Sequence, residues 1–250
     1  MNYPYEIHCL HGFLGLPQDW QKVIPNGVVS HAHSIYTSTS LSFDAFAKEK
    51  NDTVSETSFK KKRLLLGYSL GGRLALHMLL DRPDLWDHAV IVSAHPGLPN
   101  LTDGQDRETR FQADLRWAKR FETESWSGLM KDWEAQAVFS GSKSLNLPEA
   151  PNMHGVSRER EFNRSILAQA LTQWSLGKQA NLLPRLTQLG KRIRWVAGEK
   201  DSKFDAVARL AASSHPAFRY SCIEKAGHRV PWDQPEIFKN LLLREMDERT

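Results

Sequence analysis

A chain of 250 residues, 40% hydrophobic and 25% charged, has room for one α/β domain with a buried core and an inserted subdomain. Its 33 Lys and Arg against 29 Asp and Glu leave a net charge of +4, and no long basic run stands out beyond Lys60-Lys61-Lys62-Arg63, which reads as a solvated loop before a strand and speaks against nucleic-acid binding. Cys9 and Cys222 each fall in a predicted strand and give no disulfide framework; no stretch is long enough to span a bilayer, and Met1 to Tyr5 lack a basic or apolar leader. The expectation is a soluble cytoplasmic protein without membrane or nucleic-acid partners, a monomer or small homo-oligomer.

In chain order, Ile7 to Leu10 predicts a short buried strand running into a His11-Gly12 turn, and Pro17 to Val23 a helix. Val28 to Tyr36 predicts the next strand, whose alternation places His31 and His33 on one face; no metal or cofactor is expected. Ser42 to Glu49 reads as a helix with Ser42 as its N-cap. Leu64 to Leu66 is a strand, Leu70 to Leu80 a helix stopped by Asp81-Arg82-Pro83, and Ala89 to Val92 another strand. From about residue 100 to 180 the readable signals are helical, with Phe111, Leu115, Ala118 and Phe121 at helical spacing, then Phe162, Ile166, Leu167, Ala170 and Leu171. Strands resume at Ile193 to Ala197 and Phe218 to Ile223. This order predicts a mostly parallel sheet flanked by helices, built from residues 1–99 and 181–250, with 100–180 inserted as a helical cap.

Gly67-Tyr68-Ser69-Leu70-Gly71 lies between a strand and a helix, where G-x-S-x-G holds a serine on a strained turn with its hydroxyl lifted clear of the backbone. Asp201 in Gly198-Glu199-Lys200-Asp201 and His228 in Ala226-Gly227-His228 follow in the order of an α/β-hydrolase triad. An imidazole takes the serine proton, and a buried carboxylate fixes the imidazole tautomer. Asp205 and Asp233 compete for the acidic role, but Asp201 sits just past a strand end, where the acid loop belongs. The oxyanion hole is expected from the backbone N–H groups of Leu70 and of Phe13 in His11-Gly12-Phe13-Leu14-Gly15. Arg73, at i+4 from Ser69, shares a helix face with it, and its fork suits either a substrate carboxylate or a salt bridge to the cap. The strand leading to His11 starts within a few residues of Met1, so the antiparallel hairpin that opens most sheets of this class is expected to be missing.

Over nearly its whole length the chain resembles the 2-succinyl-6-hydroxy-2,4-cyclohexadiene-1-carboxylate synthases, α/β-hydrolase-fold lyases of menaquinone biosynthesis. The resemblance is carried by Leu10 to Gly15 with Asp19-Trp20, Gly67 to Arg73, Arg110 with Trp117 to Phe121, Asp132-Trp133, Val138-Phe139, Ser175 to Gln179, Gly198 to Phe204 and Ala226 to His228. It implies elimination of pyruvate from 2-succinyl-5-enolpyruvyl-6-hydroxy-3-cyclohexene-1-carboxylate, with the triad serine as a base and no acyl-enzyme. It further implies a small polycarboxylate substrate, cations at Arg73, Arg110 and Lys203, a further one at Arg158 or Arg160, and a pocket lined by Tyr68 and Trp133. The chain departs from the family at Arg229, where members often carry a smaller polar residue. The residues alone also allow an esterase or thioesterase, a carbon–carbon bond hydrolase or a non-catalytic receptor on the same scaffold.

Overall fold

The computed structural model describes residues 3–39, 42–56, 61–98, 105–142 and 156–247. Its central apolar runs become strands that are covered on both faces, while the edge strands stay partly exposed. β1 (Tyr5–Leu10) is buried at every position. With β2 (Val29–His33), β3 (Lys62–Tyr68), β4 (His88–Val92), β5 (Arg192–Gly198) and β6 (Phe218–Ile223) it forms one sheet in the order β2-β1-β3-β4-β5-β6, and every pairing is parallel. Each such pairing needs a crossover, and the crossovers supply the helices that bury the two faces.

Helices α1 (Phe43–Ser55) and α2 (Leu70–Asp81) follow β2 and β3. Between β4 and β5 every described element is helical: α3 (Gln105–Thr123), α4 (Trp126–Glu134), α5 (Arg164–Gln173), the single turn α6 (Leu183–Leu186), and short 3-10 turns. α7 (Ser202–Ser213) joins β5 to β6, and α8 (Val230–Asp233) and α9 (Pro235–Glu245) close the fold. Strand alternation sorts the core. Leu65 packs with Leu10, Phe46, Leu74 and Trp86 on one face, while Leu64 and Leu66 pack with Ile7, Trp20, Phe238 and Leu242 on the other. A third apolar cluster joins Leu14 to Phe121, Leu129, Trp133 and Leu167, seating α3, α4 and α5 over the end of β1. Among the described residues no strand precedes β1, and none is antiparallel.

Several boundaries differ from the sequence expectations. Pro17–Lys22 is a 3-10 helix. The second strand ends at His33, because the Ser34 hydroxyl accepts from Tyr36 N and turns the chain into a 3-10 turn, Ile35–Ser38. α1 runs past Glu49 to Ser55; its polar tail stays helical because buried Asn51 donates to Met78 O and Asp81 Oδ2 and accepts from Trp86 Nε1. Lys62 and Arg63 belong to β3 and not to a loop, and Arg63 is tied to Glu6 on β1; Lys60 lies outside the described residues. Cys9 is buried in β1, whereas Cys222 on the edge strand β6 is partly exposed, and both are free thiols.

Candidate active site

β3 passes directly into α2 through Ser69, which adopts φ 52° and ψ −115°. Such a conformation costs a side-chain-bearing residue about 1–3 kcal/mol and persists only when its surroundings fix it. Ser69 N donates to Val92 O at 2.9 Å and Ser69 O accepts from Arg73 N at 3.1 Å, so the neighbouring strand and the helix hold it from both sides. The flanking glycines serve close approach. A Cβ on Gly67 would lie 2.6 Å from Gly72 Cα, and one on Gly71 would lie 2.3 Å from His11 O. The elbow therefore packs flat against both α2 and the end of β1.

His228 Nδ1 lies 2.6 Å from Asp201 Oδ2, and His228 Nε2 lies 3.2 Å from Ser69 Oγ. A carboxylate on Nδ1 keeps the proton there and leaves the Nε2 lone pair facing the serine hydroxyl. Asp201 is also the N-cap of α7, its Oδ1 accepting from Phe204 N at 3.3 Å. The loops that carry acid and base are laced together by Lys200 N to Ala226 O at 2.8 Å and Glu199 N to Ile223 O at 3.0 Å. The competing carboxylates are engaged elsewhere: Asp205 pairs with Arg209 and Tyr220, and Asp233 accepts from Gly227 N.

After β1, Gly15 N donates to Gly12 O at 3.0 Å, making a turn with Phe13 and Leu14 at its centre and Leu14 at φ 60°. Leu14 N donates to the Tyr36 hydroxyl at 2.7 Å. His11 sits beneath: Nδ1–H donates to Gly12 O, and Nε2 accepts from Ile35 N. Both bonds fit the neutral ring, and burial lowers its pKa to about 4. Asp19 accepts from Leu16 N and pairs with buried Arg158, tying the turn to the segment before α5. Phe13 N, at the first central position of the turn, and Leu70 N, in the first helical turn, take no part in these bonds, as expected of amides at such positions.

Above Ser69 lies a cavity of about 570 Å³, lined among others by Phe13, Leu70, Arg73, Arg110, Trp133 and Lys203. Arg73 behaves differently from a free carboxylate clamp: it donates to Trp174 O at 2.7 Å and to Gln179 Oε1 at 3.1 Å. Burial, and then the Arg110 charge, lower its pKa, and Asp114 opposes them. Arg110 is the more open cation. Its Nε contacts both oxygens of Asp114, at 2.9 and 3.1 Å, and among the described residues its terminal nitrogens make no hydrogen bond. Two expected lining residues stand elsewhere. Tyr68 is buried under the site, its ring against Trp232 and His228, because the strand pleat turns it away from the cavity. Arg160 is exposed and outside the lining, while Arg158 is spent on Asp19.

Sequence reasoning missed Lys200, Gln136, Phe139 and Phe204 as lining residues. Phe204 was legible only as part of the Asp-Ser-Lys-Phe stretch; its ring centroid lies 4.6 Å from that of His228. Arg229 was visible as a departure without a role. It is buried, donates to both oxygens of Glu134 at 2.7 and 2.8 Å, and stacks on Phe139, so it fastens the end of α4 to the histidine loop.

A model of the alpha/beta hydrolase family matches residues 9–240. A 2-succinyl-6-hydroxy-2,4-cyclohexadiene-1-carboxylate synthase of Escherichia coli O1:K1 is 32% identical over 237 residues, covering 90% of this chain and 87% of the relative. The synthase of Shigella dysenteriae serotype 1 matches with the same identity and coverage. The chain belongs to the 2-succinyl-6-hydroxy-2,4-cyclohexadiene-1-carboxylate synthase family of α/β hydrolases. Among solved structures, MenH from S. aureus superposes with a TM-score of 0.83 at 21% identity, covering 98% of this chain and 96% of that one. A hydrolase from Oleispira antarctica follows at a TM-score of 0.73 and 13% identity, covering 98% and 91%. At these identities the likeness speaks for the fold, and the synthase family shares that fold with hydrolases of other names.

Proposed function

We propose that this chain carries out the reaction for which its relatives are named, eliminating pyruvate from 2-succinyl-5-enolpyruvyl-6-hydroxy-3-cyclohexene-1-carboxylate. The observation that carries the reading is the hydrogen-bonded series Ser69–His228–Asp201 under a cavity whose walls hold Arg73, Arg110, Lys200 and Lys203. An ester hydrolase needs the triad and an oxyanion hole; it does not need cations from the nucleophile helix, α3 and the acid loop together. A substrate with several carboxylates does.

In this reading His228 Nε2 accepts the Ser69 proton as Ser69 Oγ removes a ring proton. The electron pair of the broken C–H bond, at the ring carbon bearing the succinyl group, forms a double bond to the next ring carbon. The double bond already in the ring shifts one position toward the carbon bearing the enolpyruvyl group, the C–O bond there breaks, and the leaving enolate takes up a proton to become pyruvate. Charge that develops next to a substrate carbonyl meets the amides of Leu70 and Phe13, and one such donor is worth ~3 kcal/mol of barrier. Arg73 and Arg110 orient the carboxylates, and an arriving anion offsets the cost of the buried Arg73 charge. Residues 100–180 act as the cap that shapes the cavity, and the substrate is a small soluble anion. Among the described residues no helix is long and apolar enough to cross a membrane, and we place the reaction in the cytoplasm.

The test is incubation with the enolpyruvyl cyclohexene carboxylate. Stoichiometric pyruvate, with no acyl group on Ser69 by mass spectrometry, supports the reading. Fast hydrolysis of simple esters with no pyruvate from this substrate overturns it.

A further inference from the structure

Away from this cavity, the outer margin of the sheet carries a second constellation that the reaction does not use. Glu6 and His8 alternate onto one face of β1, and the parallel register sets His31 of β2 beside His8. His8 Nε2 lies 3.3 Å from Glu6 Oε1, and His31 Nε2 lies 3.4 Å from Glu6 Oε2. One ligand atom from each of the three residues falls within 4.8 Å of the others. Glu6 is wholly buried, and its Oε2 accepts no hydrogen bond among the described residues. His8 and the Arg63 guanidinium engage Oε1, whereas Oε2 has only the His31 nitrogen beside it among the described residues, and a buried carboxylate oxygen left without a partner is costly.

We propose that Glu6, His8 and His31 form a binding site for a zinc-class divalent transition ion. The donor set is two imidazoles and one carboxylate, which suits such ions. Bond lengths near 2.0–2.1 Å at a tetrahedral centre separate neighbouring ligand atoms by about 3.3 Å, close to the 3.4 Å between His31 Nε2 and Glu6 Oε2. Outer partners are in place as well. His33 Nε2 lies 3.0 Å from His8 Nδ1 and can hold the His8 proton there, leaving Nε2 for the metal. Arg63 Nε holds Glu6 Oε1 at 3.0 Å, which leaves Oε2 to ligate. His31 is 31% exposed, giving an entry path and a water-accessible fourth position. Both strands contribute ligands, so an ion there pins edge strand β2 to β1, and β2 runs into the Ile35–Tyr36 turn that supports His11 and Leu14.

The test uses tag-free full-length protein stripped with a chelator, titrated with Zn²⁺ by calorimetry and with Co²⁺ by visible spectroscopy. The expected result is one saturable ion per chain, the d–d absorption of four-coordinate Co²⁺, and a higher Tm with Zn²⁺. His31→Ala should weaken binding by more than about 100-fold and His33→Ala by about 10–100-fold, while His215→Ala, remote from the cluster, leaves it unchanged. His31→Gln, which keeps a polar group on the half-open edge, serves as a second variant should the alanine variant fold poorly. Absence of saturable binding to the wild-type chain, or wild-type affinity in a folded His31 variant, overturns the proposal.

Discussion

The guanidinium of Arg73, one helical turn beyond Ser69, donates to the backbone carbonyl of Trp174 at 2.7 Å. With the second bond to Gln179 Oε1, it fastens the nucleophile helix to the segment that returns from α5. The residue therefore has two jobs, wall of the cavity and brace of the fold, and experiments on it must read both.

Arg73→Ala is expected to lower kcat/KM and thermal stability together. Two buried acceptors lose a charged donor, which typically costs about 1.5–3 kcal/mol, and the substrate loses one carboxylate partner. Paired melting and steady-state kinetics check this. An unchanged Tm would mean that the Trp174 and Gln179 contacts carry no stability.

Arg110→Ala should separate from it. Arg110 is 41% exposed, and its partner Asp114 also accepts from Ser175 Oγ. Asp114 is buried, but it borders the cavity and keeps the Ser175 hydroxyl, so loss of this pair should lower stability less than loss of the two Arg73 bonds. The substrate contact is charge-assisted, and its removal should cut kcat/KM by roughly 10- to 150-fold, the equivalent of about 1.5–3 kcal/mol. A normal kcat/KM would remove Arg110 from the binding role.

Ser69→Ala, His228→Ala and Asp201→Asn should each reduce turnover by roughly two or more orders of magnitude, and the Ser69→Ala/His228→Ala double variant should be scarcely worse than either single one. Additive losses in a double-mutant cycle would mean that the groups do not act as a unit.

Stability should fall as the solution is acidified from about pH 6.5 toward pH 4. Burial lowers the pKa of His11 to about 4 and that of His88 to about 3. Below pH 6.5 the unfolded chain binds protons that the folded chain refuses, so unfolding gains up to ~1.4 kcal/mol per pH unit for each such histidine. The effect levels off once pH drops below the folded value. His88 has neither ring nitrogen hydrogen-bonded among the described residues, so His88→Leu should flatten the profile measured by urea unfolding at stepped pH.

Much of the site could be read along the chain because its parts are local. Strand Leu64–Leu66, the glycine spacing around Ser69, and Asp201 past the end of β5 are short-range patterns whose geometry follows from chirality and sterics. What escaped was tertiary. Nothing near Arg73 in sequence announces Trp174 or Gln179, and nothing near Arg229 announces Glu134 on α4. Tyr68 adjoins the nucleophile in sequence, yet the two-residue period of β3 turns its ring beneath the site and toward Trp232. The helix from Phe43 continued past its apolar signal because Asn51 found buried partners on α2 and at Trp86, information that no window along one segment contains.

Asp201 divides its two oxygens between different kinds of work: Oδ2 meets His228 Nδ1, and Oδ1 receives the amide of Phe204 at the start of α7. One side chain thus couples a proton-transfer residue to the first turn of a helix. Fraying of that turn would free the carboxylate to swing and take the orientation of the imidazole with it, with no strand needing to separate. Enzymatic activity in mild denaturant then becomes a local thermometer, reporting the integrity of a single helix start while bulk spectroscopic signals still read as native.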